Sequence, residues 1–119
     1  MLPQIFPVLH VAAVTAFVGT SPARIYRHGA APQNVTAPYI TWFVGGGAAE
    51  NTMEGAEADQ FRVQVDCWSD SDAQIEQLAE AVRAAMEPHA HLVAYVANER
   101  DFQTQRYRIG MAFDWWSGR

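Results

Sequence analysis

The residues able to do chemistry are few, and their spacing argues against most of it. His89 and His91, one residue apart, form the best candidate metal pair. Zinc needs three or four ligands within tetrahedral reach. The other candidates do not complete the set: Cys67 sits on the apolar side of an alternating segment, and His10 and His28 have no recognisable ligand spacing. The pair reads as two ordinary loop residues after a helix, and no metal or cofactor is expected. Cys67 as a nucleophile would need a histidine base beside it; its place in the pattern is that of a small buried hydrophobe. Gly45-Gly46-Gly47 follows a strand but leads into acidic residues that would repel phosphate, so it reads as a hinge that ends the strand. G-x-S-x-G, P-loop and H-E-x-x-H patterns are absent. Glu50, Glu54, Glu57 and Asp59 offer hard oxygens of the kind calcium takes, but outside any EF-hand pattern. Glu99 and Asp101 would act as an acid/base pair only in a pocket that splits their pKa values; they read instead as the polar end of a hairpin. The chain is not expected to be an enzyme.

The elements around these residues follow from periodicity. Residues 3–18 read as a helix with Ile5, Phe6, Leu9, Ala12, Ala13 and Ala16 on one apolar face. Pro7 leaves two readings open: it lies in the first turn, or it divides the segment in two. Gly19 is a plausible stop. Residues 24–27 suit a short strand, 29–38 an extended loop, and 39–44 a strand rich in aromatic and β-branched residues. Residues 61–68 alternate, with Phe61, Val63, Val65 and Cys67 on one face and Arg62, Gln64, Asp66 and Trp68 on the other. Ser71 and Gln74 form a capping box for a helix over residues 72–87, with Ile75, Leu78, Ala79, Val82 and Met86 lining one side. Residues 92–101 and 106–116 read as a hairpin. In its second strand Tyr107, Ile109, Met111, Phe113 and Trp115 share one face; Arg108, Gly110, Ala112, Asp114 and Trp116 share the other. The expected fold is α+β, a single domain over residues 1–119. It is a mostly antiparallel sheet of four to five strands with two helices packed on one face.

Composition agrees with one globular domain: 119 residues, half of them hydrophobic and 18% charged. Every cationic side chain is arginine, and all 13 acidic residues lie at or after Glu50. Residues 1–49 therefore carry a formal +2 and residues 50–119 a formal −7. A net −5 argues against general nucleic-acid binding, which needs a clustered basic surface. The asymmetry suits a subunit whose opposite sides meet head to tail. The apolar stretch 5–18 is too short for a bilayer and no Lys or Arg precedes it, so neither a membrane span nor a secretory signal is expected. Synthesis in the cytoplasm is the matching expectation.

Contacts explain the remaining features better than catalysis does. Trp115 and Trp116 are adjacent in a strand and must point to opposite faces. Trp116 falls with Trp68, Arg62 and Arg108 on the face away from the core, and Trp and Arg are favoured interface anchors. A surface tryptophan shielded by arginine stems is the alternative reading of the same residues. The candidate interface comprises Glu50, Glu54, Glu57, Asp59, Arg62, Trp68, Arg108 and Trp116.

The ordered pattern is one of distinct segments: Arg24-Ile25-Tyr26, Ala37-Pro38-Tyr39-Ile40, the strand ending in Val65-Asp66-Cys67-Trp68, and then the capped helix through Ala79-Glu80-Ala81-Val82-Arg83. It closes on Tyr107-Arg108-Ile109 to Phe113. Together these resemble the tail-completion proteins of long-tailed bacteriophages, also called tail terminators or head–tail joining proteins, over nearly the whole chain. The resemblance implies a structural subunit of a ring, usually sixfold, that ends the tail tube and joins it to the head connector. Its partners would be copies of itself, the tail tube protein and the head completion protein, at the head-proximal end of the virion tail. The acidic loop over residues 48–59 would be an arm that orders on a neighbour or on the tube. DNA would pass an acidic lumen without specific binding. Another head–tail adaptor or a minor tail protein is the alternative within the same class.

Overall fold

The computed structural model describes residues 3–49 and 58–118, with side chains over 3–45 and 60–115. Two short helices, α1 (Ile5–Leu9) and α2 (Ala12–Val18), precede the strands β1 (Ile25–Arg27), β2 (Tyr39–Ala49) and β3 (Ala58–Ser69). A longer helix, α3 (Asp72–Met86), then leads into the hairpin β4 (Ala90–Arg100) and β5 (Tyr107–Gly118). The strands form one sheet in the order β1-β2-β3-β5-β4, antiparallel throughout except for β1 and β2. The expected α+β class and mostly antiparallel sheet are therefore present, with three helical segments in place of two. The β1–β2 pair is parallel because residues 28–38 carry the chain back to the end where β1 began, the crossover a parallel pair needs. Among the described residues no helix is long and apolar enough to cross a membrane.

Alternation in the central strands decides where the core lies. Val63, Val65 and Cys67 of β3 and Ile109, Met111 and Phe113 of β5 point to one side and are buried there. Against them α3 lays Ile75, Leu78, Ala79, Val82 and Met86, the stripe its 3.6-residue period predicts. Fully burying side chains of this size contributes about 1.5–3 kcal/mol each, so this one contact accounts for much of the stability. Ile5, Leu9, Val14 and Val18 close the same core.

Three sequence expectations need correction. The N-terminal segment does have Pro7 in its first turn, where its missing N–H forfeits no intrahelical hydrogen bond. The segment is also divided, but at His10 and Val11, with Val11 in an extended conformation. That break resets the helical phase. Val14 and Val18 turn inward, whereas Ala12, Ala13 and Ala16 are exposed and Phe6 is half-exposed. Second, Gly45–Gly47 does not end its strand. β2 continues through them to Ala49, with a register shift between Gly45 and Ala48, as glycine permits at a bulge. Third, β3 begins at Ala58, so the loop assigned to residues 48–59 is shorter at both ends. Gly19 does end α2, at φ +80°, with its N–H on the Thr15 carbonyl at 2.8 Å.

The cap of α3 differs in detail from a simple capping box. Ser71 Oγ accepts from the Gln74 amide at 3.2 Å. The return contact runs through the buried Ser69, whose hydroxyl donates to Gln74 Oε1 at 2.6 Å and accepts from the Ser71 amide at 3.1 Å. Ser69 thus ties the last residue of β3 to the first turn of α3. Ser71→Ala is expected to destabilise the domain by about 1 kcal/mol, read as a lower midpoint in urea at an unchanged slope. Ser69→Ala, which removes both of these hydrogen bonds and leaves a small void at a buried position, should destabilise it by at least as much.

Candidate interface

Among the described residues no element covers the sheet face opposite the helices, and its polar side chains pair with one another across strands, the buried Arg108 Nε alone lacking an acceptor there. Tyr39 of β2 and Trp68 of β3 are register partners and stack at 5.7 Å between ring centroids, nearly parallel. Arg106 lies over the Tyr39 ring at 5.3 Å and Arg108 over the Trp68 ring at 5.5 Å, so two guanidinium groups bracket the aromatic pair. Trp68 Nε1 donates to Thr41 Oγ1 at 3.1 Å. Arg106 also donates to the Val35 carbonyl at 2.9 Å, which fastens the loop before β2 to the start of β5.

Further along this face a carboxylate is buried. Asp66 is 5% exposed and accepts from Gln64 Nε2 at 3.0 Å. Arg108 reaches Asp66 at 3.6 Å and Glu99 at 3.4 Å, bridging β3 and β4. The site exists because position 110 is glycine: a Cβ there would stand 2.5 Å from Asp66 Oδ1 and 3.1 Å from Val96 Cγ2. Arg62, half-exposed, pairs with its register partner Asp114 at 2.8 Å.

The candidate residues divide accordingly. Trp68 and Arg108 are brought into direct contact, in the shielded arrangement, and Arg62 lies on the same face toward the other end of the strands. Asp59 and Trp116 occupy paired strand positions, opposite Ala49 and Gln60 respectively, but their side chains lie outside the described residues. Glu50, Glu54 and Glu57 lie outside them altogether. Beyond Trp115, β5 pairs with β3 alone, so β2, β3 and β5 continue as a three-stranded extension to the ends that flank residues 50–57.

Of the residues considered for chemistry, Cys67 is fully buried, and burial, aided by the neighbouring Asp66 charge, pushes its thiol well above the ordinary range. His89 stacks on Trp115 at 5.6 Å. Asp101 accepts the amides of Gln103 and Thr104 at 2.8 and 3.1 Å and shapes the hairpin turn. Among the described residues no three His, Cys, Asp or Glu side chains are placed to hold a metal ion.

Two features at the lateral edges were not expected from the sequence. β4, an outer strand, exposes Val93, Tyr95 and Val96 at 44%, 54% and 48%, beside two breaks in its register with β5. At the opposite edge, α1 and the ends of β2 and β3 enclose an apolar groove of about 430 Å³ lined by Ile5, Phe6, Trp42, Val44 and Phe61, with Arg27 over the Trp42 ring. Trp42 Nε1 is shielded from solvent without an acceptor among the described residues. The unbroken apolar run from Leu92 to Ala97 carried the first signal, since an alternating strand would interrupt it. The groove left no signal, because it joins residues 3–7 to residue 61 across the fold.

The acid-free residues 1–49 supply α1, α2, β1 and β2, at one side of the sheet. The remainder supplies the centre and the other side, where acids and arginines are interspersed: Glu87 pairs with Arg83, Glu99 with Arg108, and Arg100 ends β4.

The family model described as tail completion protein gp17 matches residues 6–118. A chain in the virion of a native gene transfer agent particle has the same fold, with a TM-score of 0.66 and 19% identity over 97% of this chain and 92% of that one. No curated protein sequence matches.

Two outcomes follow from these contacts. Gly110→Ala should destabilise the domain by about 1–3 kcal/mol, measured by urea unfolding, because the displaced Asp66 carboxylate is held by Gln64 and Arg108. The Cys67 thiol keeps its proton in the folded state and loses it at about pH 8.5 when unfolded. Folding stability should therefore fall above that pH by about 1.4 kcal/mol per unit relative to a Cys67→Ala variant. Parallel stability curves for the two proteins from pH 8 to 10 would contradict this.

Proposed function

The chain belongs to the tail completion protein gp17 family, a family of structural phage tail proteins, and from that premise we propose that it is the subunit of a ring. The ring terminates the tail tube at its head-proximal end and joins it to the head connector. Family membership over residues 6–118 carries this reading. The division of charge along the sequence, +2 over residues 1–49 and −7 over residues 50–119, supports it, because a ring needs a heterologous contact in which one patch meets a different patch on the next copy. Six copies is the number the family resemblance implies.

The three-stranded extension would carry the acidic segment, with Glu50, Glu54, Glu57 and Asp59, toward the tail tube protein. The uncovered face with Arg62, Trp68, Arg108 and Trp116 would meet another virion component, the head completion protein among them. An acidic lumen would let DNA pass without retaining it.

Deleting the gene and imaging the particles tests the reading. Loss of a terminator should give free tails of uncontrolled length. Tails of normal length that fail to join heads would instead make the chain an adaptor, and normal joined particles would sink both. In purified form, light scattering over a hundredfold concentration range should show mass rising from one subunit to a defined ring, less readily at high salt.

A further inference from the structure

The outer edge of β2 is only partly occupied. β1 covers it from Ile40 to Trp42, with the Ile40 amide on the Arg24 carbonyl at 2.9 Å and the His28 amide on the Trp42 carbonyl at 2.6 Å. The chain then turns away: the Ala30 amide reaches back to the Arg27 carbonyl at 2.8 Å, and Gly29 takes φ +86°. β2 itself runs on to Ala49, so from Phe43 onward no strand among the described residues lies against its outer side. Val44 continues the phase in which Ile40 and Trp42 turn their backbone groups outward. An edge of this kind is a template for one more strand.

The same stretch borders the α1–Trp42 groove, since Trp42 and Val44 belong to both. Among the described residues the one charged side chain of the lining is Arg27, over the Trp42 ring, and the indole N–H is shielded without an acceptor. A segment that fits here brings extended backbone for the edge and an apolar side chain for the groove. It also brings an acceptor for the indole and negative charge beside Arg27.

We propose that this edge and groove take an extended peptide segment of another virion protein, an apolar residue flanked by Asp or Glu, added to β2 as a strand in line with β1. The inference rests on the chain being a structural tail protein and not on the ring. The outer strands of this chain do not match that description. β1 carries no acid. On β4 the register is broken twice, Tyr95 is bonded to Arg83, Val96 lies against Gly110 on the opposite face, and Glu99 is paired with Arg108. The described residues therefore hold no suitable donor strand, and the occupant is a different protein.

Photo-cross-linking in assembled particles tests this. p-Benzoylphenylalanine stands in place of Phe6, a half-exposed ring at the groove, and the peptide linked on irradiation is identified by mass spectrometry. The expected product joins this chain to a second virion protein at a segment with an apolar residue beside Asp or Glu. Arg27→Glu should lower its yield about tenfold or more, and Arg27→Lys should keep it; Arg27 is exposed, so the fold tolerates both. If the Phe6 variant does not enter particles, the photoreactive residue replaces Gln4, exposed at the same groove. A product within this chain or between two of its copies would overturn the proposal. So would a linked segment without an acid, or no product from particles that contain the variant. Amide exchange over residues 43–47 should also be about tenfold slower in particles than in the free protein; equal rates would rule out an added strand. Particles that lack even the native protein would remove the virion premise, and the proposal with it.

Discussion

One constraint organises the domain: β3 is hydrogen-bonded on both sides along its length, and only one of its faces is apolar. Val63, Val65 and Cys67 must be covered, and α3 is the one helix long enough to do it. Five buried side chains of α3 meet that face, and their burial contributes on the order of 10 kcal/mol, comparable to the whole stability of a domain this size. The short helices α1 and α2 then have only the same side left to pack on. Everything helical is on one face because the alternation of β3 and β5 admits no second hydrophobic surface.

The other face must therefore settle its own polar groups without a covering layer. It does so across strands: guanidinium groups over the Tyr39–Trp68 pair, and Asp66 held between Gln64 and Arg108. Replacing such a pair by apolar residues is often neutral or stabilising, so a buried ion pair is weak evidence for stability alone. Its effect here is to fix the positions of Trp68 and Arg108 on an accessible surface. A contact made there starts from ordered side chains, which reduces the entropy lost on binding.

The lateral edges follow from topology. Sheet order sets the first strands of the sequence at one side and the β4–β5 hairpin at the other. A chain with its acids confined to the second part thereby has its acid-free elements gathered at one edge, while acids and arginines alternate at the other. The two edges of this structural tail protein therefore differ in both shape and chemistry.

Periodicity within single segments determined most of the core. The capped helix α3 with its five inward residues, the alternation of β3 and β5, the hairpin and the stop at Gly19 all depend on neighbours a few residues away, and all were legible from the sequence. So were the candidate pair Trp68 and Arg108, since a strand assigns each side chain to a face. What only the tertiary structure decided involves residues distant along the chain. The phase of α2 was reset by Val11, and the glycines stayed in β2 because β3 continues to pair with them. The parallel placement of β1 and the guanidinium–aromatic stack depend on the return of the loop before β2. The groove beneath α1 exists only once residue 61 has been folded against residues 3–7. Local patterns record which way a side chain faces; which distant surface it then meets is set by the packing of the whole chain.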